Sequence, residues 1–132
     1  RYAEDCIVIG ADTVVACDQE ILGKPADDQD AFRMLHMLQG RTHEVYTGVA
    51  ILSYNNAGEK EIINHAVETK VHVHEMNEEE IRAYIATGDP MDKAGAYGIQ
   101  GSFAAYIDGI EGDYYNVVGL PVSYVYQQLK KR

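Results

Sequence analysis

The sequence predicts a domain of the α/β or α+β class, because segments with the periodicity of strands alternate with segments with the periodicity of helices. The first observation is a dense apolar run near the start of the chain, Ile7–Val15. The second is a pair of segments with a period of two, 42–51 and 67–74. The third is a pair of helix-start signals, at Asp27 and Asn77, each followed by apolar residues at helical spacing.

The run from Ile7 to Val15 predicts a strand that is buried on both faces. One acid, Asp12, interrupts it, and a buried unpaired carboxylate is costly, so Asp12 needs a cation, hydrogen bonds or an exposed strand end. Two interpretations fit this run alone. Asp12 either ends the strand or makes a turn beside Gly10, or it is a functional acid. Residues 13–22 then predict a tight hairpin around a polar turn.

Two helices and an antiparallel pair of strands are predicted next. The first helix begins at the cap residue Asp27 and ends at Gly40. The segments 42–51 and 67–74 form an antiparallel pair with one solvated face. The second helix begins at Asn77, where Glu80 completes a capping-box pattern three residues later.

The C-terminal third alternates loops with short elements. Residues 89–93 predict a loop, which leads into the glycine-rich stretch 94–101. Residues 103–107 predict a strand, and 108–115 predict a polar connection. Pro121 predicts the start of a last helix, because proline favours the first helical turn.

Length and charge limit the classes of function. The 132 residues fit a single domain, 1–132, and the formal net charge is −10. This charge argues against a nucleic-acid polymer or an anionic membrane as partner, because both require clustered Lys and Arg. A small anionic ligand needs only a few cations and backbone N–H groups, so it remains allowed.

The cysteines and tyrosines suggest the setting of the protein. Cys6 and Cys17 are isolated in the sequence, which predicts a reduced, cytoplasmic location. No apolar run reaches the length of a membrane span. The chain has ten tyrosines, and because tyrosine is enriched at protein interfaces, this number would suit a homodimer.

Two stretches could bind an anionic ligand. Gly23-Lys24-Pro25 can bring a backbone amide and an ammonium to one point, although a solvated turn lysine is the alternative. Lys93 precedes three glycines at three-residue intervals, where the backbone can approach a ligand closely. Gln100 lies between two of these glycines, and its amide suits a base edge with donors and acceptors. Lys93, Gly95 and Gln100 are therefore candidate substrate-binding residues, and a tight glycine turn is the alternative.

Five motifs follow one another along almost the whole chain. They are Ile9-Gly10-Ala11-Asp12-Thr13-Val14-Val15, Leu22-Gly23-Lys24-Pro25, Gly40-Arg41-Thr42-His43 with Val45 and Thr47-Gly48-Val49, Gly88-Asp89-Pro90 with Lys93 to Gly101, and Tyr114 to Pro121. Together they resemble the Maf family of nucleoside triphosphate pyrophosphatases. The glutamine loop and the last motif resemble the branch of that family that acts on dTTP and UTP.

The resemblance implies hydrolysis between the α and β phosphates, which gives a nucleoside monophosphate and pyrophosphate with the help of a divalent cation, usually magnesium. It implies that Asp12 accepts the proton of the attacking water, holds the metal, or does both. Lys24, which we count with Asp12 as catalytic, and Lys93 correspond to cationic positions suited to the phosphates. Thr13 and Gln100 correspond to positions linked with base preference.

The resemblance also implies an elongated mixed β-sheet flanked by helices, with an active-site cleft between two lobes. Family members begin with a strand and a Ser-x-Arg-Arg-type loop that contacts phosphate, followed by a helix and a further acid. Residue 1 already lies past these motifs, so we expect the sequence to be truncated at its N-terminal side. If the polypeptide ends there, we expect weak activity or none.

Two other functions stay open at this point. The family is associated with inhibition of septum formation, so the chain could bind nucleotide or a division protein without catalysis. A sister branch prefers 7-methyl-GTP, so the same chemistry could act on a methylated purine.

Overall fold

The computed structural model describes residues 7–55 and 57–131. Five strands form one sheet in the order β2-β1-β3-β4-β5. The strands are β1 (Val8–Cys17), β2 (Glu20–Leu22), β3 (Thr42–Tyr54), β4 (Lys60–Val73) and β5 (Ile107–Glu111). The helices are α1 (Asp28–Leu38), α2 (Glu78–Ala86), α3 (Tyr114–Val118) and α4 (Val122–Lys130). In the described ranges, none of these helices is long and apolar enough to cross a membrane.

The predicted class is confirmed, because helices flank a sheet whose neighbouring strands are all antiparallel within the described residues. The predicted strand pair is the long β3–β4 hairpin, and β1 pairs with the other edge of β3. In this register Asp12 lies opposite Gly48, and Thr13 lies opposite Thr47. Since successive side chains of a strand alternate, Asp12 and Thr13 lie on opposite faces of the sheet.

The helices cover one face of the sheet at two places. Helices α1 and α2 pack with Val15, Val45 and Val71 in the larger core, and both helices start at the predicted caps. Further along the same face, Val125 of α4 packs against Val49 and Ile51 of β3 in a second, smaller cluster. The two clusters leave space between them on this face of the sheet.

The expected burial of the first strand on both faces is wrong for its first half. Ile7, Val8 and Ile9 are 44%, 36% and 41% exposed, whereas Val15 and Cys17 are almost fully buried. The reason is that the larger core covers the end of β1 that contains Val15, and no described element covers its beginning. Cys6 lies outside the described residues.

The predicted strand over 103–107 is also wrong, because residues 102–106 form a 3-10 helix and the strand follows at Ile107–Glu111. Phe103 is fully buried, and its ring centroid lies 5.0 Å from that of Tyr84 and 4.7 Å from that of Tyr97. A tight turn satisfies this packing better than an extended chain does. Most of the predicted polar connection, 108–115, therefore belongs to β5 and the start of α3.

Phe103→Ala tests this aromatic core. We expect the free energy of unfolding to fall by about 3–5 kcal/mol, because the substitution leaves a cavity among rings that pack closely. The measurement is urea unfolding followed by circular dichroism. The matched control is Tyr126→Ala, since Tyr126 is 59% exposed and its loss should change the free energy by less than about 0.5 kcal/mol. Equal effects of the two substitutions would contradict the packing described for Phe103.

Candidate active site

A cavity of about 510 Å³ opens on the face of the sheet that carries the helices. Its walls come from β1, β3, the loop after β2, the segment 89–101, and the end of α3 with the glycine that follows it. Thr13, Lys24, Lys93 and Gln100 all line it. The structure therefore brings together four residues that the sequence predicted as site residues, from three separate motifs.

The two lysines of the cavity differ in their surroundings. The Lys93 Nζ atom lies 2.9 Å from the Asp92 Oδ1 atom and 3.6 Å from the Asp89 Oδ1 atom. The hydrogen bond between Lys93 and Asp92 raises the pKa of Lys93 and lowers the pKa of Asp92. Lys24 is exposed, and within 7–55 and 57–131 no carboxylate forms an ion pair with it. The Lys24 ammonium is therefore available to an incoming anion.

A buried tyrosine holds the loop that carries Gln100. The Tyr84 hydroxyl donates to the Asp89 Oδ2 atom at 2.5 Å and accepts from the Gly98 backbone N–H at 3.0 Å. Burial and the bond to Asp89 raise the pKa of Tyr84, so its phenol stays protonated. A Cβ atom on Gly101 would lie 3.3 Å from the same Asp89 Oδ2 atom. Tyr84 and Asp89 thus hold in place the loop that contains Gly98 and Gln100.

Gly95 joins the two lysine loops and does not itself line the cavity. Its backbone N–H donates to the Gly23 carbonyl at 3.1 Å, which links the loop of Lys24 to the loop of Lys93. Its φ is +72°, and a Cβ atom there would lie 2.9 Å from a methyl group of Val15. The close approach that the sequence predicted at this glycine is therefore made by the protein's own strand β1.

Asp12 lies beside the cavity but does not line it. Its exposed carboxylate borders a shallow depression with Gly48 and Asn64 on the other face of the sheet. The first part of β1, Val8–Val14, has no strand partner on the side away from β3 within the described part of the chain. Asp12 therefore occupies a free sheet edge, one residue from Thr13.

The residues present suit a metal only in combination with a ligand. In the part of the chain that the structure describes, no group of three or more His, Cys, Asp and Glu side chains could hold a metal ion. Asp12 offers one exposed carboxylate. Mg²⁺ keeps several waters and binds through one or two carboxylates together with substrate phosphates, so this donor set fits a shared site and not a closed cage.

A buried polar network behind Thr13 was missed in the sequence. The Thr13 Oγ1 atom lies 2.8 Å from the Thr47 Oγ1 atom, and Thr47 also donates to the Asn116 carbonyl at 3.1 Å. Asn116 is fully buried. The sequence did contain one signal for this network. Asn116 stands between a tyrosine and a valine in a segment that must pack, and a buried amide requires hydrogen-bond partners.

Comparison with known proteins places the chain in a family. A model of the family described as Maf-like protein matches residues 1–132. The chain belongs to the Maf family. This result confirms the resemblance carried by the five motifs.

Several curated relatives of this Maf-family chain share a name. The proteins from Agathobacter rectalis, Lachnoclostridium phytofermentans and Koribacter versatilis are each named dTTP/UTP pyrophosphatase. Their sequences are 57%, 50% and 53% identical to this chain, over 97%, 99% and 99% of its length. The chain spans 62%, 66% and 65% of the length of these relatives.

A neutral histidine supports the wall of the cavity in this Maf domain. His43 is fully buried, and its Nε2 atom lies 2.7 Å from the hydroxyl of Tyr97, a residue that lines the cavity. Burial lowers the pKa of His43 to about 4. The imidazole therefore stays uncharged at neutral pH and acts as a hydrogen-bonding spacer.

His43 makes stability depend on pH in a defined direction. The unfolded chain takes up a proton at this histidine near pH 6.5, whereas the folded chain resists protonation down to about pH 4. The unfolded state therefore binds more protons between these values, and the free energy of unfolding falls as the pH falls. We expect His43 to account for a loss of about 2 kcal/mol between pH 7.5 and pH 5.

Urea unfolding at the two pH values measures this contribution. We expect His43→Gln to remove the corresponding part of the pH dependence. The control is His36→Gln, since His36 is exposed on α1. If His43→Gln and the parent lose the same free energy between pH 7.5 and pH 5, the assignment of a buried neutral His43 is incorrect.

Proposed function

We propose that this Maf-family domain takes part in hydrolysing dTTP and UTP to the nucleoside monophosphate and pyrophosphate. The observation that carries the proposal is the single cavity that unites Thr13, Lys24, Lys93 and Gln100. The shared name of the relatives supports the same activity and the same pyrimidine substrates. Free nucleotides are a cytoplasmic pool, so we place the protein in the cytoplasm.

Phosphate binding is assigned to the lysines. A nucleoside triphosphate brings several negative charges to a chain whose own net charge is −10, so local cations must offset the repulsion. Lys24 is available for this role without giving up an ion pair. Lys93 is shared with Asp89 and Asp92, so a phosphate must compete with two carboxylates for its ammonium.

Base binding is assigned to Gln100 and Thr13. Gln100 is exposed at the cavity surface and offers both amide donors and a carbonyl acceptor. Thr13, on β1, offers a hydroxyl that lines the same cavity. These two polar groups suit the edge of a nucleobase, and the apolar side chains of Val45 and Val117 in the same cavity suit its faces.

Asp12 is proposed as the residue that receives the proton of the attacking water. Water adds to the α-phosphorus, the bond between that phosphorus and the bridging oxygen to the β-phosphorus breaks, and pyrophosphate leaves with the electron pair. Asp12 is exposed at an edge of β1 that has no strand partner among the described residues, so its carboxylate is open to a nucleotide bound in the neighbouring cavity. A bound magnesium ion, shared by Asp12 and the phosphates, would neutralise charge as it develops.

Asp12→Asn tests the assignment of this carboxylate. The amide has nearly the same shape but cannot accept the proton, so we expect the rate of pyrophosphate release from UTP and dTTP to fall by roughly 10²–10⁴-fold. The measurement is coupled pyrophosphate detection with Mg²⁺ present. The matched control is Glu79→Gln, an exposed carboxylate in the first turn of α2, which should leave the rate unchanged.

Two results would contradict the proposal in different ways. Turnover of the Asp12→Asn variant at the parent rate would remove Asp12 from the mechanism. A parent chain that binds UTP by calorimetry but releases no pyrophosphate would contradict the hydrolysis itself and favour a binding function.

A further inference from the structure

We propose that Thr47, backed by Asn116, fixes the Thr13 hydroxyl as a hydrogen-bond acceptor toward the cavity, and that this polarity selects uracil and thymine over cytosine. The inference rests on the proposed function, because it concerns the base held in the same cavity. Thr47 is a positioning residue in this scheme, and Thr13 is the residue that touches the base.

The direction of the network is set at the end of α3. The last carbonyls of a helix have no partner within the helix. After α3, the backbone N–H groups of Gly119 and Leu120 both donate to the Tyr115 carbonyl, each at 3.1 Å. The Asn116 carbonyl is left to accept from the Thr47 Oγ1 atom at 3.1 Å. A carbonyl can only accept, so the Thr47 hydroxyl must donate its proton there.

This donation decides the neighbouring bond. A threonine hydroxyl has one proton and two lone pairs. Because the Thr47 proton is directed to Asn116, the 2.8 Å contact between Thr13 and Thr47 requires Thr13 to be the donor. The Thr13 proton therefore points into the protein, and only lone pairs remain for a ligand in the cavity.

Asn116 is held firmly enough to maintain this order. Its side-chain Nδ2 atom lies 2.9 Å from the Val67 carbonyl and 3.2 Å from the Val45 carbonyl, so it bridges β4 and β3. Thr47 is itself fully buried. Water has no access that would let the hydroxyl turn to another acceptor. Backbone carbonyl groups of α3, β3 and β4 thus fix the direction in which the Thr13 hydroxyl donates its proton.

The chemistry of the bases gives this polarity a consequence. Uracil and thymine present an N–H donor between two carbonyl acceptors, whereas cytosine presents a bare ring nitrogen beside an amino group. The Gln100 amide can rotate to offer either its NH₂ group or its oxygen, so it can match both patterns. Thr13 cannot reverse, and its lone pairs match the ring N–H of uracil and thymine but face the lone pair of cytosine.

The approach to Thr13 is open. A Cβ atom on Gly119 would lie 3.9 Å from the Thr13 Oγ1 atom, and Gly119 adopts a φ of +132°, which disfavours side chains. Glycine at this position leaves the hydroxyl accessible from the cavity. Thr13 and Gly119 both line that cavity.

Calorimetric titration with UTP and CTP in the absence of divalent metal tests the inference without requiring turnover. We expect the parent to bind UTP more tightly than CTP. We expect Thr47→Val, which keeps the shape but removes the hydroxyl, to reduce this preference about tenfold, because Thr13 can then rotate and donate to cytosine. Thr47→Ser restores the hydroxyl and should restore the preference.

Thr69→Val is the matched control. Thr69 is equally buried and also accepts from the Asn116 Nδ2 atom, at 3.1 Å, but it does not contact Thr13 in the described structure. Asn116 keeps its bonds to two carbonyls in this variant, so the preference for UTP should remain. If Thr47→Val does not fold, Thr13→Val serves instead, since it deletes the acceptor on the cavity surface and should cause the same loss of preference.

The outcomes separate this inference from the proposed function. An unchanged preference in folded Thr47→Val or Thr13→Val, or equal binding of UTP and CTP by the parent, would overturn the inference even if the parent hydrolyses UTP. A parent that binds UTP selectively but releases no pyrophosphate with Mg²⁺ would overturn the hydrolysis and leave the inference supported. Binding of neither nucleotide would overturn both.

Discussion

The pairing of β1 with β3 is the constraint on which the candidate site depends. It sets Thr13 opposite Thr47 and Asp12 opposite Gly48, so two neighbouring residues of one motif lie on opposite faces of the sheet. The hydroxyl enters the cavity, and the carboxylate remains at the exposed edge. A shift of one residue in this register would exchange the two groups, so the proposed base-binding residue and the proposed catalytic residue would both leave their positions.

The cavity is then closed by loops that hold one another in place. The bond from Gly95 to Gly23 joins the loops of the two lysines, and Val15 beneath them leaves no room for a larger residue than glycine. Tyr84 fixes the glutamine loop through Asp89 and Gly98. Loops that are mobile before binding lose conformational entropy when a ligand orders them. These internal bonds order the loops beforehand, so less entropy is lost on binding.

Local signals in the sequence predicted much of this arrangement. The caps at Asp27 and Asn77 and the alternation along β3 and β4 depend on neighbours a few residues away, so they were visible. The strand at 107–111 was not predicted, because Gly109 and its acidic neighbours interrupt the alternation of apolar and polar residues that indicates a strand. The Tyr84 and Asn116 contacts join residues far apart in the chain, and only the folded backbone brings them together.

A crystal structure with a non-hydrolysable UTP analogue, with the α–β bridging oxygen replaced, tests the central claim most directly. We expect the uracil between Thr13 and Gln100, its ring N–H within hydrogen-bond distance of the Thr13 Oγ1 atom, and the phosphates beside Lys24 and Lys93. We expect the α-phosphate to lie at the edge of β1 next to Asp12. A nucleotide bound elsewhere, or bound with its base at the lysines and its α-phosphate away from Asp12, would contradict the account.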